Sequence, residues 1–412
     1  MKKTLVQIDI MMLGLMIISL PSIEAPKNIF LVGYLLTRVI SETLEWKKIK
    51  INWNQWDSLF FSIIVTAFLS TLFAGMPHLE EWKGYMVFLT AIFTGWLLSR
   101  ARYSRKNYQG LFKLIVLGAF PPLLWGLYQY FILHTKKSLE LHSVGHVNHS
   151  AIYLVMIFGA SLGWFYSYFD SDKFKMKASR FYLLALGILS FIFFMSLIIG
   201  QSRGAYGVGI FLGLLIIYSV GKSKTMKLFG SISIVLIFLL SIIFKTGVIE
   251  KQIANQEANN VLSSRDKVWN VSLEASRFSP MLGIGLSNWH FITIDQLKKS
   301  VEDRGEKFNP NNYYFPGHSH NLYLSALVER GILGLFMTLI FMLFWFRHIV
   351  KTYTWAVKSQ DSIRLWSGSL SAWITIFGIG VVNTTFHHEH AILACLFLGI
   401  YLSYTRQYHP KK

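Results

Sequence analysis

The sequence is short of charge and of cysteine. Only 15% of its 412 residues are charged, whereas 53% are hydrophobic and 16% are aromatic. A chain this apolar does not fold as a soluble domain of that size. The single cysteine, Cys395, lies in the last apolar run, which excludes an intramolecular disulfide and a cysteine-based metal site. The composition therefore predicts an integral membrane protein of the all-α class and leaves the redox compartment open.

Acidic residues are scarce as well. The chain has 21 Asp and Glu against 40 Lys and Arg, which gives a formal net charge of +19. Such a charge suits nucleic-acid binding, but most of these cations lie in short segments between apolar runs. That placement is what orientation in a bilayer requires. We therefore exclude nucleic acid as a partner and expect membrane lipids instead.

Twelve apolar stretches are long enough for a membrane-spanning helix, which needs about 20 residues. Two gaps between them, at Ser202–Arg203 and at His387–Glu389, are short, so eleven or thirteen spans are alternatives. The stretches lie near residues 6–22, 27–45, 57–75, 84–99, 109–133, 149–169, 181–200, 204–220, 228–247, 320–346, 365–385 and 390–404.

The short loops differ in charge from one face to the other. With a cytoplasmic N-terminus, every second loop carries a group of cations, such as Lys222, Lys224 and Lys227, while the opposite loops carry isolated ones. This asymmetry is the positive-inside pattern. We therefore predict that both termini are cytoplasmic.

Residues 248–319 form one connection that is far too long for a simple turn. Within it, the spacing from Ser263 to Asp266 is typical of a helix start and Pro280 of a stop, which predicts a helix over about 264–278. A glycine-assisted crossing after Met281 and a short helix over 295–302 are predicted next. The predicted parts are transmembrane helices 1–9 over 1–247, an extracytoplasmic loop domain over 248–319, and helices 10–12 with a cytoplasmic tail over 320–412.

The polar residues of interest gather at helix ends on the predicted outer face. A single Arg in such a place is usually an anchor that extends its charge into the interface. Two permanent cations together, Arg203 and Arg265, predict a receptor for phosphate or pyrophosphate, because Arg265 also lies beside free backbone N–H groups at a helix start. The histidines on this face are His146, His149, His318, His320 and those of the His387–His390 segment.

Three interpretations fit these histidines: a metal cluster, a proton-accepting base, or interfacial side chains that bind water. Neither His318-x-His320 nor the His387–His390 segment has the i, i+4 helical spacing of a strong zinc motif. We therefore predict no metal and no cofactor. A neutral imidazole is well suited to accept a proton from a hydroxyl nucleophile. Other bases on the same face are His149, Glu329 and Glu389.

One stretch resembles a known motif. His320-Asn321, nine residues, and then Gly331-Ile-Leu-Gly334 match the His-(Asn/Ser/Gln)-x9-Gly-x2-(Gly/Thr/Tyr) pattern of the O-antigen ligase family. That family shares a superfamily with O-antigen polymerases and bacterial O-linked oligosaccharyltransferases. The resemblance extends to Arg203 at the opening of a span, to Arg265 with Trp269, and to Pro280 with Gly283-x-Gly285. It therefore covers most of the chain.

The resemblance implies a fold similar to GT-C glycosyltransferases, in the bacterial inner membrane, with a periplasmic active site. The implied reaction is inverting transfer of a glycan from undecaprenyl pyrophosphate to a sugar of the lipid A core, without a nucleotide sugar or a metal. His320 would be catalytic. The expected substrate-binding residues are Arg203, Arg265, His318, Asn321, His149 and Glu329.

Three alternatives remain open at this point. An O-antigen polymerase would use the same donor chemistry with a second lipid-linked glycan as acceptor. An O-linked protein oligosaccharyltransferase would need a groove for a polypeptide. A lipid-linked glycan flippase would place cations deep inside its helices, whereas few cations, among them Arg38 and Lys113, lie within apolar runs here.

Overall fold

A computed structural model of the protein describes residues 2–46, 53–169, 177–257, 260 and 262–410. Within these ranges the chain is helical and has no β-strand, as predicted. Two 3₁₀ turns, Asn288–Phe291 and Pro310–Asn312, lie in the long connection. The helices are α1 Lys2–Ser19, α2 Glu24–Trp46, α3 Gln55–Leu72, α4 Glu80–Ser99, α5 Arg105–Gly118, α6 Phe120–Phe131, α7 Val147–Phe169, α8 Lys177–Ile199, α9 Arg203–Val220, α10 Lys224–Ile243, α11 Gly247–Glu257, α12 Arg265–Ala275, α13 Ile294–Glu302, α14 Leu322–Ala356, α15 Gln360–Ile379 and α16 His388–Tyr408.

Seven helical segments of the described chain are long and apolar enough to cross a membrane, which indicates a multi-pass membrane protein. The other five predicted spans fall on α1, α2, α4, α15 and α16, so the twelve-span layout stays a prediction. The seven segments are Gln55–Leu72, Arg105–Phe131, Val147–Tyr168, Arg180–Ile199, Arg203–Val220, Lys224–Ile243 and Leu322–Ala356.

The helices pack around α7, α15 and α16. Helix α15 contacts α7, α9, α14 and α16, and α16 also contacts α4. Both α15 and α16 are buried along most of their length. The predicted span over 109–133 is two helices, α5 and α6, which meet at Ala119 just before Pro121 and Pro122. Proline removes the backbone donor that a continuous helix would need there.

Helix α14 is broken at Gly331. That residue has φ 67° and ψ −168°, a conformation that only glycine adopts without strain. The backbone at Met281 and Leu282 runs across the break, where a Cβ on Gly331 would lie 2.3 Å from the carbonyl carbon of Met281. The segment 280–285, called the crossing segment below, therefore occupies the position that the glycine leaves open.

The crossing segment satisfies the backbone groups that the break releases. The amide of Ile332 donates to Pro280 O at 2.8 Å, while the carbonyl of Val328, its normal helical partner, accepts from Ile284 N at 2.9 Å. Glu329 O likewise accepts from the crossing segment, at Gly285 N and 3.1 Å. On its other side the crossing segment bonds to the α3–α4 connection, from Gly75 N to Gly283 O at 3.0 Å. Buried backbone groups need such partners, so the predicted glycine-assisted crossing joins three parts of the fold.

The long connection has a hydrophobic core of its own, apart from the main one. It includes side chains of α12, α13 and the crossing segment, together with Val328 from the first part of α14. Two predicted helices are present here, although α12 ends at Ala275, earlier than expected. The predicted Ser-x-x-Asp start is wrong in detail. The N-cap residue of α12 is Ser264, whose side chain makes no cap hydrogen bond, and the hydroxyl of Ser263 accepts from Arg203.

We predict that Gly331→Ala strongly destabilises the protein. The substitution forces alanine into a conformation that costs about 1–3 kcal/mol and places its Cβ against the crossing segment, which costs about 1–3 kcal/mol more. The measurement is the melting temperature of the purified protein in detergent. Gly305→Ala is the matched control, since Gly305 also has a positive φ, 78°, but open space around its Cβ. Equal melting temperatures for the two variants would contradict the packing described here.

Candidate active site

His320 lies immediately before α14 and is held there by two neighbouring segments. Its own φ is 50°, a left-handed conformation that costs about 1–2 kcal/mol in a non-glycine residue. The next residue, Asn321, caps α14 by accepting from Tyr323 N at 2.9 Å and Leu324 N at 3.0 Å. Leu322 N donates to Gly380 O at 2.7 Å. The backbone that carries His320 is therefore fixed relative to the end of α15.

Asn321 uses its whole side chain for this anchoring. Its Oδ1 caps α14, and its Nδ2 donates to Val381 O at 2.9 Å. The sequence predicted Asn321 as a substrate-binding residue. The structure gives it a positioning contact, which places the preceding His320.

The environment of His320 keeps the imidazole neutral. Burial and the nearby charge of Arg265 lower its pKa, and a hydrogen bond with Asn383 raises it only in part. Asn383 is itself buried, 3% exposed. Because a neutral imidazole has one nitrogen with a free lone pair, His320 is in the form that accepts a proton.

Arg203 and Arg265, predicted together from the sequence, lie close to each other. Arg203 is the first residue of α9, and its guanidinium donates to Ser263 Oγ at 2.6 Å and to Gln252. Arg265 is the first residue of α12, and its Nε is buried without a hydrogen-bond partner among the described residues. Burial and the charge of Arg203 lower the pKa of Arg265. Two cations therefore lie close to each other in a partly desolvated environment.

Lys251, on α11, is a third cation at this place that the sequence analysis missed. Burial, Arg203 and Arg265 together lower the pKa of Lys251. Positive charges placed this close together raise the free energy of each other's protonated form. A bound anion would relieve that cost. No local motif marks Lys251, and only the fold of α11 against α9 brings it here.

The histidines form a continuous group across three segments. His318 lies 4.2 Å from His320 and 6.1 Å from His387 between ring centroids. His387 in turn lies 4.7 Å from His149, at the start of α7. Burial and the neighbouring histidines lower the pKa of His318 to about 4. The structure therefore brings His318 beside the predicted catalytic residue, with His149 further along the same group.

His149, His387 and His388 have the arrangement of a metal site. One ligand atom from each lies within 4.8 Å of the others. His390, 5.2 Å from His149 between ring centroids, is fully buried. The fold thus assembles a group of imidazoles whose spacing along the chain gave no zinc motif.

The two acidic residues proposed as other bases lie elsewhere. Glu329 is at the break of α14, where its carbonyl accepts from Gly285 N. Glu329 lies seven residues beyond Leu322, the first residue of α14, which corresponds to about 10 Å along the helix. Glu389 is buried and forms an ion pair with Lys27. Among the described residues, no contact joins either carboxylate to His320.

The arrangement combines a cluster of cations with a neutral imidazole, His320, on which one of these cations, Arg265, acts electrostatically. Fixed cations in a partly dry site stabilise the charge of a departing phosphate or pyrophosphate. A neutral imidazole beside them is able to take the proton of an attacking hydroxyl. The geometry suits the transfer of a group from a phosphorylated donor to a hydroxyl acceptor.

Comparison with known proteins agrees with this chemistry. Residues 188–339 match the model of the family described as O-Antigen ligase, which confirms the resemblance inferred from the motif. A protein of Rickettsia felis named "Putative polysaccharide ligase" is 26% identical over 229 residues, covering 49% of this chain and 53% of the relative. The alignment thus spans about half the length of that relative. Together the matches support a function of the ligase or polymerase type.

The lowered pKa of His320 predicts how the reaction rate depends on pH. Its pKa lies below the ordinary 6.5, and a general base acts in its neutral form, which exists above the pKa. The rate of the catalysed reaction should therefore be level near neutral pH and fall on acidification, with a midpoint below 6.5. Initial rates measured against pH would test this. A rate that rises as the pH falls through this range would remove His320 from the role of base.

Proposed function

We propose that the protein is an O-antigen ligase. It would transfer a glycan from undecaprenyl pyrophosphate to a sugar of the lipid A core, by inverting glycosyl transfer at the outer face of the inner membrane. The observation that carries the proposal is that Arg203, Lys251 and Arg265 lie close enough to interact electrostatically, and that Arg265 also acts on His320. Three of these residues were predicted from the sequence, and all four fall within the family match.

The cations would bind the pyrophosphate of the donor. Arg203 already donates to Ser263 and Gln252, so its position is fixed before substrate arrives. The buried Nε of Arg265 has no partner among the described residues, and a phosphate oxygen would satisfy it. Lys251 would add a positive point charge that stabilises the departing pyrophosphate. Together these groups would stabilise the charge that develops on the pyrophosphate when its bond to the sugar breaks.

His320 would activate the acceptor. The hydroxyl oxygen of the acceptor sugar attacks the anomeric carbon, its proton passes to His320, and the bond from that carbon to the pyrophosphate oxygen breaks. No metal is required for this step, because the cations supply the positive charge. His318, 4.2 Å away between ring centroids, would line the acceptor side. Asn321 and the break at Gly331 would hold the base in place.

The location at the membrane suits both substrates. Donor and acceptor are amphiphiles that keep their lipid tails in the bilayer. A site at the outer ends of helices α7, α9, α14 and α16 would let both headgroups meet without leaving the membrane. The proposed topology has cytoplasmic termini and twelve spans, with residues 248–319 as the periplasmic domain above the site.

Complementation tests the proposed function. The chain is expressed in a Gram-negative host that lacks its own ligase, and lipopolysaccharide is separated on gels. An O-antigen ladder on the lipid A core is expected. Long lipid-linked glycan that never reaches the core would contradict the ligase assignment and indicate a polymerase instead.

The same assay tests the cations. Arg203→Lys and Arg265→Lys keep the charge but lose the planar fork, so each should lower transfer roughly 10- to 100-fold, the size of a lost hydrogen bond to a charged group. Arg277→Lys is the matched control, because Arg277 is an exposed cation on the same domain. Protein levels are matched by immunoblot. Normal ladders from both site variants would remove these arginines from the donor site.

A further inference from the structure

We propose that His149, His387 and His388 bind a divalent transition-metal ion, most suitably Zn²⁺, at a site separate from the catalytic base. The site joins the start of α7 to the start of α16. It takes no ligand from the pair His318 and His320. His149, expected from the sequence to contact substrate, becomes a metal ligand in this assignment.

The spacing of the three imidazoles fits an ion. Their ligand atoms all lie within 4.8 Å of one another, so some point is no more than about 2.8 Å from all three. Zinc bonds to imidazole nitrogen at about 2.0–2.1 Å. Small rotations of the side chains close that gap. Imidazole ligands also suit zinc better than they suit Mg²⁺ or Ca²⁺, which prefer oxygen.

Unpartnered nitrogens support the same site independently. His390 is 0% exposed, and neither of its ring nitrogens has a hydrogen-bond partner among the described residues. The Nε2 of His387 is buried without one as well. Buried polar atoms left without partners are costly. A metal ion would use the lone pair of His387, and the ring of His390 lies nearby, 4.8 Å from that of His387 between centroids.

The surroundings of the site are consistent with a cation. His388 is exposed, which gives an ion a path from the solvent. The carboxylate of Glu389, adjacent to His388 in sequence, is held in a buried ion pair with Lys27. The carboxylates of Glu389 and Glu24 act on His388 electrostatically in favour of a positive charge, and Lys27 acts against it. Nearby carboxylates are frequent around zinc-bound histidines.

The proposal does not depend on the proposed function. All four histidines of the site lie outside residues 188–339, the part of the chain that matches the ligase family. Transfer by the metal-free protein is expected to persist, since no ligand takes part in the chemistry. Metal binding is therefore measured directly, without an activity assay.

Metal content tests the site. The full chain, purified in detergent with a histidine-free affinity tag, is stripped with a chelator, equilibrated with Zn²⁺, separated from free ion and analysed by mass spectrometry for zinc. About one ion per chain is expected, as for a mononuclear three-histidine site. Co²⁺ in place of Zn²⁺ should give the visible absorption of a tetrahedral site. Wild-type protein that retains no zinc would overturn the proposal.

Variants locate the ligands. His149→Gln and His388→Gln should each weaken zinc binding by more than the roughly 10- to 100-fold that loss of an outer-sphere partner costs. His146→Gln is the matched control, because His146 contacts His149 but is not one of the three ligands. Gel filtration of each variant confirms that it is folded. Equal zinc loss in His146→Gln, or none in both ligand variants, would place the ion elsewhere and contradict the assignment.

Discussion

The break in α14 at Gly331 determines how the long connection over 248–319 is attached to the helices. It releases amides and carbonyls in the middle of a long helix, and the crossing segment binds both kinds of group. The same segment bonds to the α3–α4 connection, so the long connection over 248–319 is fixed to the membrane helices at this level. The first part of α14, which follows His320, is thereby packed against the core of that connection through Val328.

The interaction between His320 and Arg265, which both belong to that packed unit, gives the site its electrostatic character. His320 precedes α14, and Arg265 begins α12, which contacts α14. Besides burial, Arg203 lowers the pKa of Lys251 and of Arg265, and Arg265 lowers the pKa of His320. In the proposed mechanism the base and the anion receptor depend on one arrangement, because the positive charge that would bind a leaving group also favours the unprotonated imidazole.

Much of this could be predicted from local sequence. The helices, the crossing at Gly283 and Gly285, and the pairing of Arg203 with Arg265 follow from hydropathy, glycine placement and charge. Lys251 and the grouping of His149 with His387 could not be predicted, because both depend on which helices pack together. Hydropathy is also a weak guide to whether α15 and α16 span the membrane. Their polar residues face other helices and not lipid, as the buried serines of α15 do.

The most direct test of the account is the rate of glycan transfer by purified protein, with lipid-linked donor and core acceptor, after substitution of His320. His320→Ala should slow transfer by about 100- to 10,000-fold, the usual contribution of a general base, while donor binding and melting temperature stay close to those of the wild type. His318→Ala should keep partial activity. Transfer by His320→Ala or His320→Gln at nearly the wild-type rate would contradict the account.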